Sequence, residues 1–178
     1  MEEITIREVD LKERECMFQI FNLRVTCRQD KGIITREKYP FGWMDEMDAY
    51  SRHFAAFHGE DIIAAGRLTL FDNISFHPYY PIIEHLVPPS LKNKPIAHLS
   101  RDQVCSNYRG NGLRKDLLFT REMICRERQI EDLVIDIEAP GNQQANFCKN
   151  GYKDLGPFTI DKIHWGISSG LLMHKILH

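Results

Sequence analysis

The sequence has no long apolar run, no paired-cysteine motif and almost no net charge, and each absence removes a class of protein. No segment approaches the roughly 20 apolar residues that a membrane helix needs, so no membrane association is expected. The opening Met-Glu-Glu-Ile-Thr-Ile is too acidic and too short in apolar residues for a signal peptide, and a cytoplasmic location is expected. A formal charge of −2 over 178 residues gives no field for a polyanion, so nucleic acid is not an expected partner. Cys16, Cys27, Cys105, Cys125 and Cys148 are odd in number, widely spaced and never C-x-x-C, which suits reduced thiols rather than a disulfide framework. His53, His58, His77, His85 and His98 include no i, i+4 pair of the kind that holds zinc on a helix, and no metal is expected. G-x-G-x-x-G and G-K-[ST] are also missing, which excludes a Rossmann unit and a P-loop NTPase.

What is present reads as a single domain over residues 1–178, long enough to bury a core without disulfides or metal. Ile4 and Ile6 alternate with polar residues in a first strand, and Asp10 is placed to cap a helix whose apolar stripe is Met17, Phe18, Phe21 and Val25. After a polar stretch from Lys31 to Asp48, His53–Phe57 and Ile62–Phe71 read as a hairpin across His58-Gly59-Glu60-Asp61. Residues 72–96 hold five of the eight prolines together with Phe76, Tyr79 and Tyr80, an ordered irregular connector with one short helix from Ile82 to Leu86. His98–Val104 is the next strand. A helix follows to about Arg128, with Leu113, Leu117, Leu118, Ile124 and Cys125 on its apolar side, and then the strongly apolar strand Leu133–Ile137. Strand, helix and strand without room for a hairpin predict a parallel crossover. A short helix from Asn142 to Asn150 ends at Gly151, and the tail from Tyr152 to Leu177 supplies one or two closing strands.

Between the fourth expected strand and its helix lies Tyr108-Arg109-Gly110-Asn111-Gly112-Leu113-Arg114. Gly110 and Gly112 allow positive φ, and the helix beginning near Leu113 turns unpaired N–H groups toward the same point, a geometry suited to a phosphate. A turn of this composition also serves as a plain connector. Its place at the carboxyl end of a strand is where open α/β sheets bind ligands.

Arg109 to Arg114, five residues after Val104, resemble the [QR]-x-x-G-x-[GA] signature of the GNAT acyltransferase superfamily, with Arg114 in the place of the final small residue. Asn107-Tyr108 and Leu117-Leu118 fit the same pattern, and Phe147 followed by Gly151-Tyr152 looks like the superfamily's last-helix region. Leu23-Arg24, Asp45-Glu46-Met47-Asp48, His53-Phe54, Gly66-Arg67-Leu68 and Ser100-Arg101 are similar to one branch, the acyl-homoserine-lactone and N-acyl amino acid synthases. Arg28 stands where those synthases have an aromatic residue, and His98 where they have an acid.

The resemblance implies an α/β (α+β) fold, a central mixed and splayed sheet flanked by helices. It implies an N-acyltransferase that carries an acetyl or other acyl group from acetyl-CoA or another acyl-CoA to a small-molecule amine by direct attack, as a monomer or homodimer. Two alternatives stand beside it. One is a synthase that takes its acyl group from acyl-carrier protein. The other is a non-catalytic acyl-CoA-binding module, suggested by Phe147 where many members carry a tyrosine that protonates the leaving thiolate.

In that frame Gly110, Asn111, Gly112, Leu113 and Arg114 supply N–H groups to the cofactor, and Arg109 or Arg114 adds charge. Val104 offers backbone to the pantetheine arm and the oxyanion, and Asn142 completes the cofactor set. His98, Asp102 and Glu138 are the candidate bases, His98 having the best-placed ordinary pKa. Asp45 and Asp48 are candidates for holding an amine, and Arg24, Arg67 and Arg101 for holding a carboxylate. The same five also read as simple ion pairs.

Overall fold

The computed structural model describes residues 3–29, 34–138, 142–162 and 166–177, and among these described residues seven strands and four helices make up a mixed α/β structure. The strands are β1 (Ile4–Val9), β2 (Arg52–His58), β3 (Asp61–Phe71), β4 (Ile96–Val104), β5 (Asp132–Glu138), β6 (Lys153–Lys162) and β7 (Gly166–Ile176), in the sheet order β1-β2-β3-β4-β5-β7-β6. The helices are α1 (Arg14–Gln29), α2 (Tyr80–Ile83), α3 (Leu113–Glu127) and α4 (Asn142–Lys149). The chain forms two compact units, Met1–Thr69 with Ser100–Met123, and Leu70–Leu99 with Ile124–His178. No helix among the described residues is long and apolar enough to cross a membrane.

In the first unit β1, β2 and β3 pair antiparallel, the last two across the expected hairpin. Asp10 does not cap α1 directly. Its carboxylate takes the N–H of Lys12 and its carbonyl that of Glu13, a turn that delays the helix to Arg14. Of the expected stripe of α1, Met17 and Val25 are buried and Phe21 packs partly against the core. Met17, Ile20, Leu23 and Cys27 pack on Val9, Ala55, Phe57, Ile62 and Ala65, whereas Phe18 is 46% exposed. At 3.6 residues per turn, 17, 20, 24 and 27 share a face and 18 falls about 100° away. Arg24 therefore occupies a core position, which sets up the ion pair described below.

In the second unit β5 lies between β4 and β7. The parallel β4–β5 register covers four pairs, Ile96↔Asp132 to Leu99↔Ile135, short for strands of nine and seven residues that both continue beyond it. Leu133, Val134, Ile135 and Ile137 are buried, as expected of a strand covered on both faces. The tail forms two antiparallel strands, β6 and β7. The connector helix begins two residues earlier than expected and is followed by a 3-10 turn over Glu84–Leu86. Pro81 explains the shift, because its fixed φ suits the first turn of a helix and not its interior.

Candidate functional site

The glycine turn follows β4 through a 3-10 turn over Ser106–Tyr108 and leads into α3. Gly110 and Gly112 have φ of +86° and +82°, the left-handed region that only glycine enters without strain. A Cβ at Gly110 would meet nothing within 4 Å, so conformation and not crowding selects glycine there. The carbonyl of Gly112 accepts the N–H groups of Lys115 and Asp116 at 2.8 and 3.1 Å and starts the helix. Among the described residues, no protein acceptor takes the N–H of Gly110, Asn111, Gly112 or Leu113. Four successive donors at the positive end of a helix dipole are the arrangement that an anion would require. Arg109 folds back so that its Nε donates to the carbonyl of Val104 at 3.2 Å, and Cys27 Sγ reaches the same oxygen at 3.5 Å. Tyr108 is tied to β2 through its hydroxyl, 3.0 Å from His58 Nδ1.

Arg114, which takes the place of a small residue, is directed to Asp102: its Nε is 3.8 Å from Oδ2. Asp102 also meets Arg121 Nη2 at 2.6 Å. Arg121 has no exposure, and its other nitrogens donate to the carbonyls of Leu117 and Arg67 at 3.0 Å each. Asp102 is thus a counter-ion between two arginines, a poor placement for a general base. Arg121 was not singled out from the sequence. Its signal is its position on the 113, 117, 121, 125 stripe of α3, where a charged residue must find a buried partner.

Arg24, Asp45, Asp48, Arg67 and Arg101 form one network within the first unit. Arg24 donates to both oxygens of Asp48, at 2.8 and 2.9 Å, and to the carbonyl of Trp43 at 3.1 Å. Arg67 Nη1 bridges Asp45 at 2.5 Å and Asp48 at 2.9 Å, and its Nε donates to Ser100 at 3.1 Å. Arg101 donates to Asp45 Oδ2 through Nε and Nη2 and lies 4.0 Å from the centroid of Trp43. It holds φ of +60° within a strand, an uncommon conformation for a residue with a side chain. Asp45 and Asp48 also cap the short 3-10 turn Glu46–Tyr50, Asp45 accepting from Met47 N and Asp48 from Asp45 N.

Each carboxylate accepts four hydrogen bonds, about its full capacity. The expectation that Asp45 and Asp48 bind an amine is therefore corrected, since neither keeps a lone pair for it. Burial opposes ionisation of both, but the hydrogen bonds and charges of Arg24 and Arg67 on Asp48, and the charges of Arg101 and Arg67 on Asp45, outweigh it and hold both below the usual carboxylate range. Burial also lowers the pKa of Arg24 and of His53, whose Nε2 lies 3.1 Å from the carbonyl of Asp48. Three arginines against two carboxylates leave a positive excess, and Arg101 is the most exposed of the three.

The other candidates lie in the second unit. His98 is buried, with Nε2 2.5 Å from Asp136 Oδ1, and His77 Nε2 is 3.6 Å from the same oxygen. Neither Asp136 nor His77 was selected from the sequence; an aspartate inside Leu133–Ile137 is the signal that pointed to it. Glu138 ends β5 and is half-buried. Asn142 begins α4, and its side chain lies outside the described residues. Phe147 is buried with its ring edge-on to Tyr152 at 5.2 Å, a packing role.

The seven-strand mixed sheet with its flanking helices matches the GNAT-like fold. Among solved structures, FeeM, an N-acyl amino acid synthase from uncultured soil microbes, matches 99% of this chain and 92% of its own at 14% identity and a TM-score of 0.71. The AHL synthase LasI matches 100% of this chain and 92% of its own at 13% identity and a TM-score of 0.73. A GNAT-family acetyltransferase from Staphylococcus aureus Mu50 matches 99% and 100% at 15% identity and a TM-score of 0.65. At these identities the shared property is the fold. No family model matches the sequence, and no curated protein matches it.

Proposed function

We propose that the chain is a single-domain N-acyltransferase that binds acetyl-CoA or another acyl-CoA at Gly110–Arg114 and transfers the acyl group to an amine. The observation that carries this reading is the run of four N–H groups without a protein acceptor, held by two positive-φ glycines at the start of α3. Such a cradle recognises a pyrophosphate through backbone donors, with Arg109 or Arg114 adding charge. The neutral amine attacks the thioester carbonyl, the C–N bond forms as the C–S bond breaks, the thiolate departs with the electron pair, and the proton lost from nitrogen passes to water. Phe147 has no proton to give that thiolate, and a coenzyme thiolate is a tolerable leaving group near neutral pH. The five free cysteines support a reducing, cytoplasmic setting.

A synthase acting on an amino-acid-like acceptor is the second reading, favoured by the Arg24–Asp45–Asp48–Arg67–Arg101 network and by the likeness to FeeM and LasI. The positive excess in that network suits a carboxylate on the acceptor. Its donor is acyl-carrier protein, and it predicts turnover of long acyl chains on that carrier with little from acetyl-CoA.

Free thiol released from acyl-CoA across a panel of amines tests the main reading. Calorimetry that detects neither CoA nor acyl-CoA binding, together with an unchanged Gly112→Trp variant, would sink it.

A further inference from the structure

Asp136 interrupts β5 between the buried Ile135 and Ile137, and two histidines converge on it. His98 pairs in register with Val134, which puts Asp136 one diagonal along on the same face. His98 Nε2 and His77 Nε2 lie 2.5 and 3.6 Å from Asp136 Oδ1, and the two rings meet edge-on with centroids 4.4 Å apart. The backbone N–H of Tyr79 donates to His77 Nδ1 at 3.2 Å. That bond fixes the tautomer: neutral His77 keeps its lone pair on Nδ1, so Nε2 bears the hydrogen and faces Asp136 Oδ1 at 3.6 Å, beyond hydrogen-bond range.

Both imidazoles thus address Oδ1. Among the described residues no donor reaches Oδ2. The His77 and His98 side chains are 0% and 3% exposed, whereas that of Asp136 is 23% exposed, so the carboxylate is the member that a ligand meets. Burial alone would favour its neutral form. The charge of His98, its hydrogen bond and the nearby His77 imidazole outweigh burial and hold it well below the usual carboxylate range.

We propose that Asp136, oriented by His77 and His98, is a binding site for a primary ammonium group. Three cations fit a half-buried carboxylate, and the geometry separates them. The ligand atoms of His77, His98 and Asp136 lie within 4.8 Å of one another, as they would around a divalent metal. A metal, however, needs a lone pair on His77 Nε2, and the Tyr79 bond puts the proton there. A guanidinium binds best by forking across both carboxylate oxygens, and Oδ1 already accepts from His98 with the His77 ring packed beside it. A compact ammonium needs one open oxygen. Tyr79, 5.7 Å from His77 and 6.1 Å from Phe158 between ring centroids, puts aromatic surface beside the histidines. The inference rests on the acyl-transfer reading only in calling this amine the acceptor.

The full-length protein, without any acyl donor, is titrated with butylamine hydrochloride while the imidazole nitrogen and carbon-bound proton resonances are followed by NMR. The expected result is saturable shifts at His77 and His98, with affinity at least tenfold weaker in Asp136→Asn. His98→Gln, whose amide still donates but which lacks the imidazole, should weaken butylamine binding by a smaller factor than Asp136→Asn does. Methylguanidinium should bind the unsubstituted protein at least fivefold more weakly than butylamine. The proposal is overturned by no saturable shift, by equal binding to Asp136→Asn, by preference for methylguanidinium, or by one equivalent of Zn2+ binding through these histidines. The last two arms use the unsubstituted protein and hold even if a variant fails to fold. Amine binding at Asp136 without turnover of any acyl thioester would remove the acyl-transfer reading alone. Transfer with kcat/KM unchanged in Asp136→Asn would remove this one alone.

Discussion

Arg24 and Asp48 face each other through two parallel N–H···O bonds of 2.8 and 2.9 Å, with 1% and 3% of their side chains exposed. A bidentate pair of this kind is stable only while both charges are present, because either one alone in the interior is uncompensated. Asp48→Asn keeps the shape and removes the charge that neutralises Arg24 and Arg67. It should destabilise the protein by about 3–5 kcal/mol in urea unfolding. Arg24→Met, which fills the same core position without a charge, should cost less, although it leaves Asp48 paired to Arg67 alone. Equal losses, or a loss below about 1 kcal/mol in Asp48→Asn, would mean that the pair is solvated and behaves as a surface bridge.

Acid should act on this network in two stages. His53 is pushed below its ordinary pKa by burial, so the unfolded chain binds its proton first, and stability falls as pH drops below about 6.5. Asp45 and Asp48 are held low in the folded state. Their contribution is complete above the unfolded value of about 3.9 and is lost as pH falls through their folded values. Urea midpoints measured from pH 8 to pH 3 should therefore show a shallow decline followed by a steep one. His53→Gln should abolish the first and spare the second.

The order of elements was legible because it rests on short-range patterns: the alternation around His58–Asp61, the glycine turn after β4, and Gly151 after α4, where φ is +87°. The glycine turn was legible for the same reason, since positive φ leaves few residue choices. Ion-pair partners were less so. Arg24, Arg67 and Arg101 could be picked out, but that they saturate Asp45 and Asp48 depends on α1, the loop before β2, β3 and β4 meeting in space. The Asp136 cluster was missed because its three members come from positions 77, 98 and 136, and no local spacing relates them. A polar residue on a periodic apolar stripe, as at Arg24, Arg121 and Asp136, was the usable trace in each case.

Gly66 supplies a sharper steric test. A Cβ built there would lie 2.8 Å from the guanidinium carbon of Arg121 and 2.7 Å from Asp102 Oδ1, so side chains fixed by an ion pair would have to move. Overpacking of a buried site costs roughly 1–3 kcal/mol. Gly66→Ala should lose stability in that range by thermal or urea unfolding. Full stability would show that the Asp102–Arg121 pair is mobile.

The two glycines of the turn separate backbone conformation from space. At Gly110 a Cβ meets nothing, and at Gly112 only Asp116 Oδ2 at 3.9 Å, so an alanine at either position fits sterically and is opposed mainly by φ near +85°. Holding an alanine in the left-handed region costs roughly 1–2 kcal/mol, which the exposed turn can escape by relaxing to negative φ. Relaxation would turn the neighbouring N–H groups away from their common point. Gly110→Ala and Gly112→Ala should thus lose little global stability yet bind CoA about tenfold or more weakly by calorimetry. Arg114→Ala should weaken CoA by a smaller factor, because Asp102 already offsets part of that charge. If both alanine variants bind CoA as tightly as the unsubstituted protein, the four N–H groups are not the cradle, and the turn is only the link from β4 to α3.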